Sequence, residues 1–199
     1  MSLDVRRLIV SNLMSLDGFV SGPNGELDWF VKKGFPMNTE FGEYCRELIK
    51  RVGTILLGRR TYQEFASYWP EAADNDPVLT ERMNNVPKVV FSTTLSKVTW
   101  GKWGKISLVK ENASETVTIM KQEPGKDLVI YGSATLVSSL MKNDLIDEYQ
   151  IFLQPVVLGN GRPEFRNLDH RYELELMDSK QFKSGAVALY YRPARQSGN

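Results

Sequence analysis

Short apolar runs alternate with segments of helical periodicity along most of this chain. Arg7–Leu13, Thr54–Leu57, Lys88–Phe91, Leu128–Tyr131 and Glu148–Gln154, with the weaker Ile106–Val109, are brief and rich in Val, Ile and Leu. Such runs predict strands, and near-continuous apolarity predicts that most are covered on both faces. Phe41, Tyr44, Cys45, Leu48, Ile49 and Val52 recur at helical spacing, so a helix is predicted to about Arg51, capped by Asn38 or Thr39. Further helices are predicted from Gly58-Arg59-Arg60-Thr61 to about Ala66, from Asp76-Pro77 to about Asn84, over Ala113–Gln122, and from Ala134 to about Lys142 with Ser133 as its cap. Ser15–Pro36 reads as one long glycine-containing loop, long enough to carry function. Glu173–Lys180 and Val187–Tyr191 flank a turn at Lys183-Ser184-Gly185, which predicts an antiparallel hairpin with one buried face. Strands alternating with helices, then a hairpin, predict an α/β fold with a mixed, mostly parallel sheet.

No repeat, low-complexity tract or linker divides the 199 residues, so one domain is expected over 1–199. The net charge of +1, without a long run of one sign, argues against nucleic acid as the main partner. No apolar run approaches the roughly 18 residues of a membrane span. The N-terminus lacks a basic region followed by an apolar stretch, so a cytoplasmic protein is expected. A single cysteine, Cys45, and a single histidine, His170, exclude an intrachain disulfide and a zinc site built from several Cys and His ligands. His170 lies in the polar loop Asn167–Arg171 and is expected in solvent; Cys45 is expected to pack as a small apolar residue. Chemistry must then come from carboxylates, hydroxyls, backbone groups or a bound cofactor, and the cofactor weighs most.

Three turns would meet at the C-terminal ends of parallel strands, where open α/β sheets bind ligands. They are Gly58-Arg59-Arg60-Thr61, Ser92-Thr93-Thr94 and Gly132-Ser133-Ala134-Thr135. Two are predicted helix N-termini, which suit phosphate. Arg59 and Arg60 sit unfavourably at a helix N-terminus unless exposed or close to an anion. In the fourth segment, Ser15–Trp29, Asp17-Gly18 and Pro23-Asn24-Gly25 read as turns.

Taken together, Ser15-Leu-Asp-Gly18, Leu57-Gly-Arg-Arg-Thr-Tyr62, Phe91-Ser-Thr-Thr-Leu95 and Tyr131-Gly-Ser-Ala-Thr135 leading to Pro155-Val-Val-Leu-Gly159 resemble the dihydrofolate-reductase-like fold. More closely, they resemble the C-terminal reductase domain of riboflavin-biosynthesis deaminase–reductases, in its stand-alone bacterial branch. The resemblance spans about residues 5–192. It implies a three-layer fold and an NADPH-dependent reductase acting on a small molecule, most like the reductase of 5-amino-6-(5-phosphoribosylamino)uracil. It implies that Arg59, Arg60, Ser92 and Thr93 surround the adenosine 2′-phosphate, and that Gly132, Ser133, Ala134 and Thr135 hold the pyrophosphate, with Thr61 beside them. The loop through Asp17 and Val20 would cover the nicotinamide, with Trp29 closing it. Asp17 is the candidate polar group near the reacting centre. Tyr131 stands where biosynthetic relatives commonly carry a substrate-facing glutamate. Glu40 and Glu43 are the acids nearest the position of the pterin-contacting carboxylate. A dihydrofolate or pteridine reductase, and a nucleotide-binding module without turnover, are the alternative readings. Pro155–Leu158 and the terminal hairpin offer surface for a homodimer.

Overall fold

The computed structural model describes residues 5–30, 40–72 and 76–194. Strand β1 (Leu8–Ser15) lies inside an eight-stranded sheet. Helix α1 (Glu40–Arg51) returns the chain to β3 (Val52–Gly58), and α2 (Arg59–Tyr68) starts where β3 ends. Helix α3 (Pro77–Asn85) precedes β4 (Lys88–Phe91), then β5 (Ile106–Val109), α4 (Ala113–Gln122) and β6 (Asp127–Tyr131). Helix α5 (Ala134–Met141), β7 (Glu148–Gln154), β9 (Leu174–Gln181) and β10 (Val187–Pro193) complete the main units. The strand order is β5-β4-β3-β6-β1-β7-β10-β9. The first six run parallel, and β10 and β9 add antiparallel pairs at the β7 edge.

The apolar runs are explained by helices on both faces. Ile9, Ile55, Leu57, Val90 and Val129 point into one core with Ile49, Met83, Trp69 and Trp100. Their neighbours Leu8, Val10, Leu56, Val89, Leu128 and Ile130 point into the other, against Val117, Leu136, Val137 and Leu140. Period-2 alternation therefore fills two cores from one set of strands, as the three-layer expectation requires. No helix among the described residues is long and apolar enough to cross a membrane.

Three local expectations need correction. The loop after β1 holds a short strand, β2 (Phe19–Ser21), which pairs antiparallel with β8 (Arg162–Pro163) in a separate ribbon. The hairpin does not bury one face of β9: only Leu174 is partly covered, because β9 is the sheet edge. Ser133 makes no side-chain cap; it adopts a left-handed conformation at φ 61° and ψ 58°. The expected cap at Asn38 or Thr39 lies outside the described residues. Elsewhere capping follows the pattern. Asp76 accepts from the Leu79 N–H at 3.0 Å, and Asn112 accepts from the N–H groups of Ser114 and Glu115.

Asp76→Ala should lower stability by about 1 kcal/mol, the usual loss for a cap. Ser133→Gly should cost less, since no cap bond is lost and φ 61° suits glycine, which leaves only the emptied notch at Gly58 to lower stability. Urea midpoints of the two variants check the contrast.

Candidate functional site

Strands β3 and β6 are neighbours in the sheet, so the turns that follow them lie side by side. Each turn fills a notch in the other. A Cβ on Gly58 would collide with Ser133 Oγ. A Cβ on Gly132, at φ +60°, would stand 2.7 Å from Thr61 Oγ1 and 3.1 Å from its Cγ2. Both turns therefore need glycine for space, and Gly132 needs it for its backbone as well. The result aims the N-termini of α2 and α5 into one cleft of about 690 Å³. Neither helix has a side-chain cap, whereas α3 and α4 do. Their first N–H groups thus face the cleft with the positive end of the helix dipole.

Arg59, Arg60 and Thr61 of α2, Ser92 and Thr93 after β4, and Tyr131, Gly132, Ser133, Ala134 and Thr135 all line this cleft. Arg59 and Arg60 are exposed within it. Ser92 Oγ accepts from the Leu95 N–H at 3.2 Å and so shapes its own turn. Glu64 lies one turn along α2; burial raises its pKa, and Arg162 and Arg60 partly offset that. Two anticipated residues are elsewhere. Asp17 is exposed and outside the lining; its carboxylate accepts from Ser15 Oγ at 2.7 Å and from the N–H groups of Leu158 and Gly159. These bonds hold it below the usual carboxylate range and tie the β1–β2 turn to the loop after β7. Trp29 is also outside the lining, donating its indole N–H to Glu26 O at 3.2 Å. Val20, Ser21 and Leu27 represent that loop in the cleft.

The far wall is apolar and aromatic: Leu13, Phe41, Tyr44, Leu48 and Phe152, with Cys45 beside them. Tyr44 and Phe152 meet edge to face at 4.2 Å. Burial pushes the Tyr44 phenol well up, so it stays protonated and donates to Gln150 Oε1; Gln150 in turn donates to Glu148. Tyr131 is likewise raised by burial. Glu40 and Glu43, the acids nearest the pterin-contacting position, are absent from this wall. Glu40 accepts from the Lys183 N–H at 2.9 Å, and Glu43 is exposed; neither lines the cleft. His170 is exposed, as expected.

Sequence reasoning missed a second layer. The β1–β6 ladder ends at Ser11↔Tyr131. Beyond it, Asn12 Oδ1 accepts from the Gly132 N–H at 2.6 Å, and Asn12 Nδ2 donates to Glu164 Oε1 at 2.7 Å. Glu164 is fully buried, and burial raises its carboxyl to about 7. Two residues on either side of it, Arg162 and Arg166 line the cleft, and Arg166 Nη2 donates to Thr135 Oγ1. The one available signal was the polar pair Ser11-Asn12 inside an otherwise apolar strand.

The donor set fits a dinucleotide phosphate: two uncapped helix N-termini, flanking arginines and hydroxyls, on a cleft walled by aromatic rings. Comparison with known proteins shows the family and the fold. The model of the RibD C-terminal domain matches residues 6–188. The uncharacterized protein YyaP of Bacillus subtilis (strain 168) is 32% identical over 192 residues, covering 96% of each chain. Among solved structures, a putative riboflavin biosynthesis protein from Shewanella sp. PV-4 superposes with TM-score 0.76 at 25% identity, covering 95% of this chain and 99% of that one. A dihydrofolate reductase from Enterococcus faecalis complexed with NADP(H) superposes with TM-score 0.62 at 13% identity, over 94% and 96%, and shares the fold.

Gly132→Ala should cost about 1–3 kcal/mol through overpacking alone. Thr61→Ala should recover part of that in the double variant, because it removes the atoms the new Cβ meets. Additive losses in a double-mutant cycle of urea unfolding would contradict the interlock.

Proposed function

The chain belongs to the RibD C-terminal domain family, and from that membership and the cleft we propose an NADPH-dependent reductase of a pyrimidine- or pteridine-type ring substrate. The observation that carries the proposal is the pair of uncapped helix N-termini interlocked on one cleft beside Arg59 and Arg60. Arg59, Arg60, Ser92 and Thr93 would hold the 2′-phosphate. Thr61 and Gly132–Thr135 would hold the pyrophosphate. The bound dinucleotide supplies the hydride. The chain's own residues orient the two reactants and exclude water. The aromatic wall would take the flat face of the second reactant, and Tyr131 offers it a protonated hydroxyl.

The reaction this arrangement suits best is reduction of 5-amino-6-(5-phosphoribosylamino)uracil at the sugar C1 of its opened imine. As hydride adds to C1 the C=N π pair passes to nitrogen, which takes one proton that solvent or a wall hydroxyl can supply, so the step does not require a placed carboxylic acid. Pterin reduction does need a placed acid, which contributes typically ~10²–10⁴-fold. The absence of Glu40 and Glu43 from the cleft lining disfavours that alternative.

NADPH should bind more tightly than NADH, by roughly 1.5–3 kcal/mol for a charge-assisted contact to the 2′-phosphate. The double variant Arg59→Gln/Arg60→Gln should erase the difference. Titration by tryptophan fluorescence checks both; equal affinities in the wild type would remove the NADPH assignment.

With NADPH, turnover of the ribosylaminopyrimidine should exceed that of dihydrofolate, and Glu43→Gln should change neither. Steady-state absorbance at the reduced nicotinamide band gives the comparison. Robust dihydrofolate turnover lost in Glu43→Gln would reverse the ranking, and no turnover of either would favour a nucleotide-binding module.

A further inference from the structure

The segment 162–166 runs beside the cleft as a strap, with Arg162 and Arg166 lining it and Glu164 buried between them. Its attachments at the ribbon are slight: β8 is two residues long, paired to β2 through a register shift. The Glu164 N–H donates to Gly18 O at 3.1 Å. The firm attachment is the side chain of Glu164, fully buried against Asn12. Asn12 faces two ways. Its carbonyl holds the Gly132 N–H, and its amide N–H group is given to Glu164, with a longer contact of 3.4 Å to Gly132 O. That fixes the amide's orientation, because only Oδ1 can accept from Gly132. Glu164 thus connects the strap to the glycine turn through one side chain.

Glu164 has a second oxygen, Oε2, buried and without a hydrogen-bond partner. From the neighbouring elements, Asn12 of β1 hydrogen-bonds this carboxyl and Tyr149 of β7 couples to it electrostatically; Arg162 and Arg166, on its own segment, line the cleft. Tyr149 is itself raised by burial and stays a neutral phenol. No cation contributes to the Glu164 titration, so a charge there would stand on a single hydrogen bond. A charge so buried is far costlier than a neutral group in the same place. The cheapest relief is for the strap to lift and admit water.

We propose that Glu164 is a positioning residue that pins the strap to Asn12, holding Arg162, Arg166 and the Gly132 amide in place for the cofactor's phosphates. The proposal rests on the cofactor reading above. Arg166 is the more telling of the two arginines. It already reaches Thr135 at the start of α5, and its Nε is buried and without a partner. Loss of the pin would release this arginine from the start of α5, one of the two helix N-termini proposed to meet an anion.

The direction of the pH effect follows. The folded carboxyl titrates near 7, above the ordinary glutamate range. Folding therefore favours the protonated form. The stability this group contributes is fully present below the unfolded pKa and is lost as pH rises through about 7. Any ligand that needs the strap closed raises the carboxyl further, and its affinity falls over the same window.

The test compares wild type, Glu164→Gln and Glu164→Leu between pH 5.5 and 8.5. Thermal midpoints are measured without ligand, and NADP⁺ affinity by isothermal calorimetry. Glutamine copies the protonated carboxyl in shape but cannot ionise. It also shares the titration of the cofactor's own phosphate, so the difference between it and wild type isolates Glu164. The wild type should lose midpoint temperature and affinity relative to Glu164→Gln as pH rises. A one-unit rise of the carboxyl pKa on binding corresponds to about a tenfold loss of affinity. Glu164→Leu, if folded by circular dichroism, should bind weakly at every pH; if it does not fold, the glutamine comparison decides alone. Parallel profiles for wild type and Glu164→Gln in both measurements overturn the pin. Divergent midpoints with equal, pH-parallel NADP⁺ affinities keep the pin but overturn its service to the cofactor. Absence of NADP⁺ binding in all three overturns the cofactor reading, while the midpoints still decide the pin.

Discussion

The whole site depends on how closely two turns approach. Strands β3 and β6 pair in parallel, so their C-terminal ends must deliver two turns to the same place. There is room only because each turn carries a glycine opposite a hydroxyl of the other: Gly58 against Ser133, and Gly132 against Thr61. The hydroxyl residues are at the first positions of α2 and at the threshold of α5, so the fit sets where both helices begin. It also sets what those helices lack. Ser133 is turned into the Gly58 notch in a left-handed conformation and makes no cap bond. The same packing that joins the turns leaves helix N–H groups directed at the cleft.

From this junction the sheet divides into two working sides. Toward β4, the Ser92 turn and the start of α2 present hydroxyls and arginines. Toward β7, Phe152 joins Phe41 and Tyr44 in an apolar wall. Strand β1 lies between, with β6 on one side and β7 on the other. Its polar pair Ser11-Asn12 therefore sits where the two sides meet. Asn12 takes over from the ladder at the point where strand pairing stops, and its amide gives Gly132 the partner that a further ladder residue would have supplied.

Much of this was legible in the sequence. The strand set, the helices and the cleft-lining turns are encoded locally, by apolar period and by glycine beside hydroxyl, and ten of the twelve anticipated site residues meet on the cleft. The other two, Asp17 and Trp29, were placed by resemblance rather than by local chemistry. Asp17 instead joins segments 141 and 142 residues apart in sequence, through the N–H groups of Leu158 and Gly159. No local pattern encodes such a bond. The same holds for Glu164, whose partner Asn12 is 152 residues distant. A glutamate in Arg-Pro-Glu-Phe reads as a solvated loop acid, and only the fold reveals that it is buried. The ribbon of β2 and β8 was missed for a related reason: strands of three and two residues carry too little period to detect.

Capping separates what the chain needs for folding from what it keeps for a ligand. Helices α3 and α4 each have a side chain that answers their first N–H groups, Asp76 or Asn112, although Ala113 at the start of α4 also lines the cleft. An N–H group left without a partner costs about as much as a lost hydrogen bond. Evenly applied, that rule would give α2 and α5 caps as well. They have none, although serine stands at the cap position of α5, where it could serve. Water can satisfy these groups while the cleft is open, and an anion can do so more strongly, because the dipoles of both helices then act on one charge. Arg59, Arg60, Arg162 and Arg166 on the same cleft act in the same direction, and Glu64 is partly neutralised by two of them. The missing caps and the arginines act in one direction: both favour a negative charge in the cleft, against the opposing carboxylates of Glu64 and Glu111.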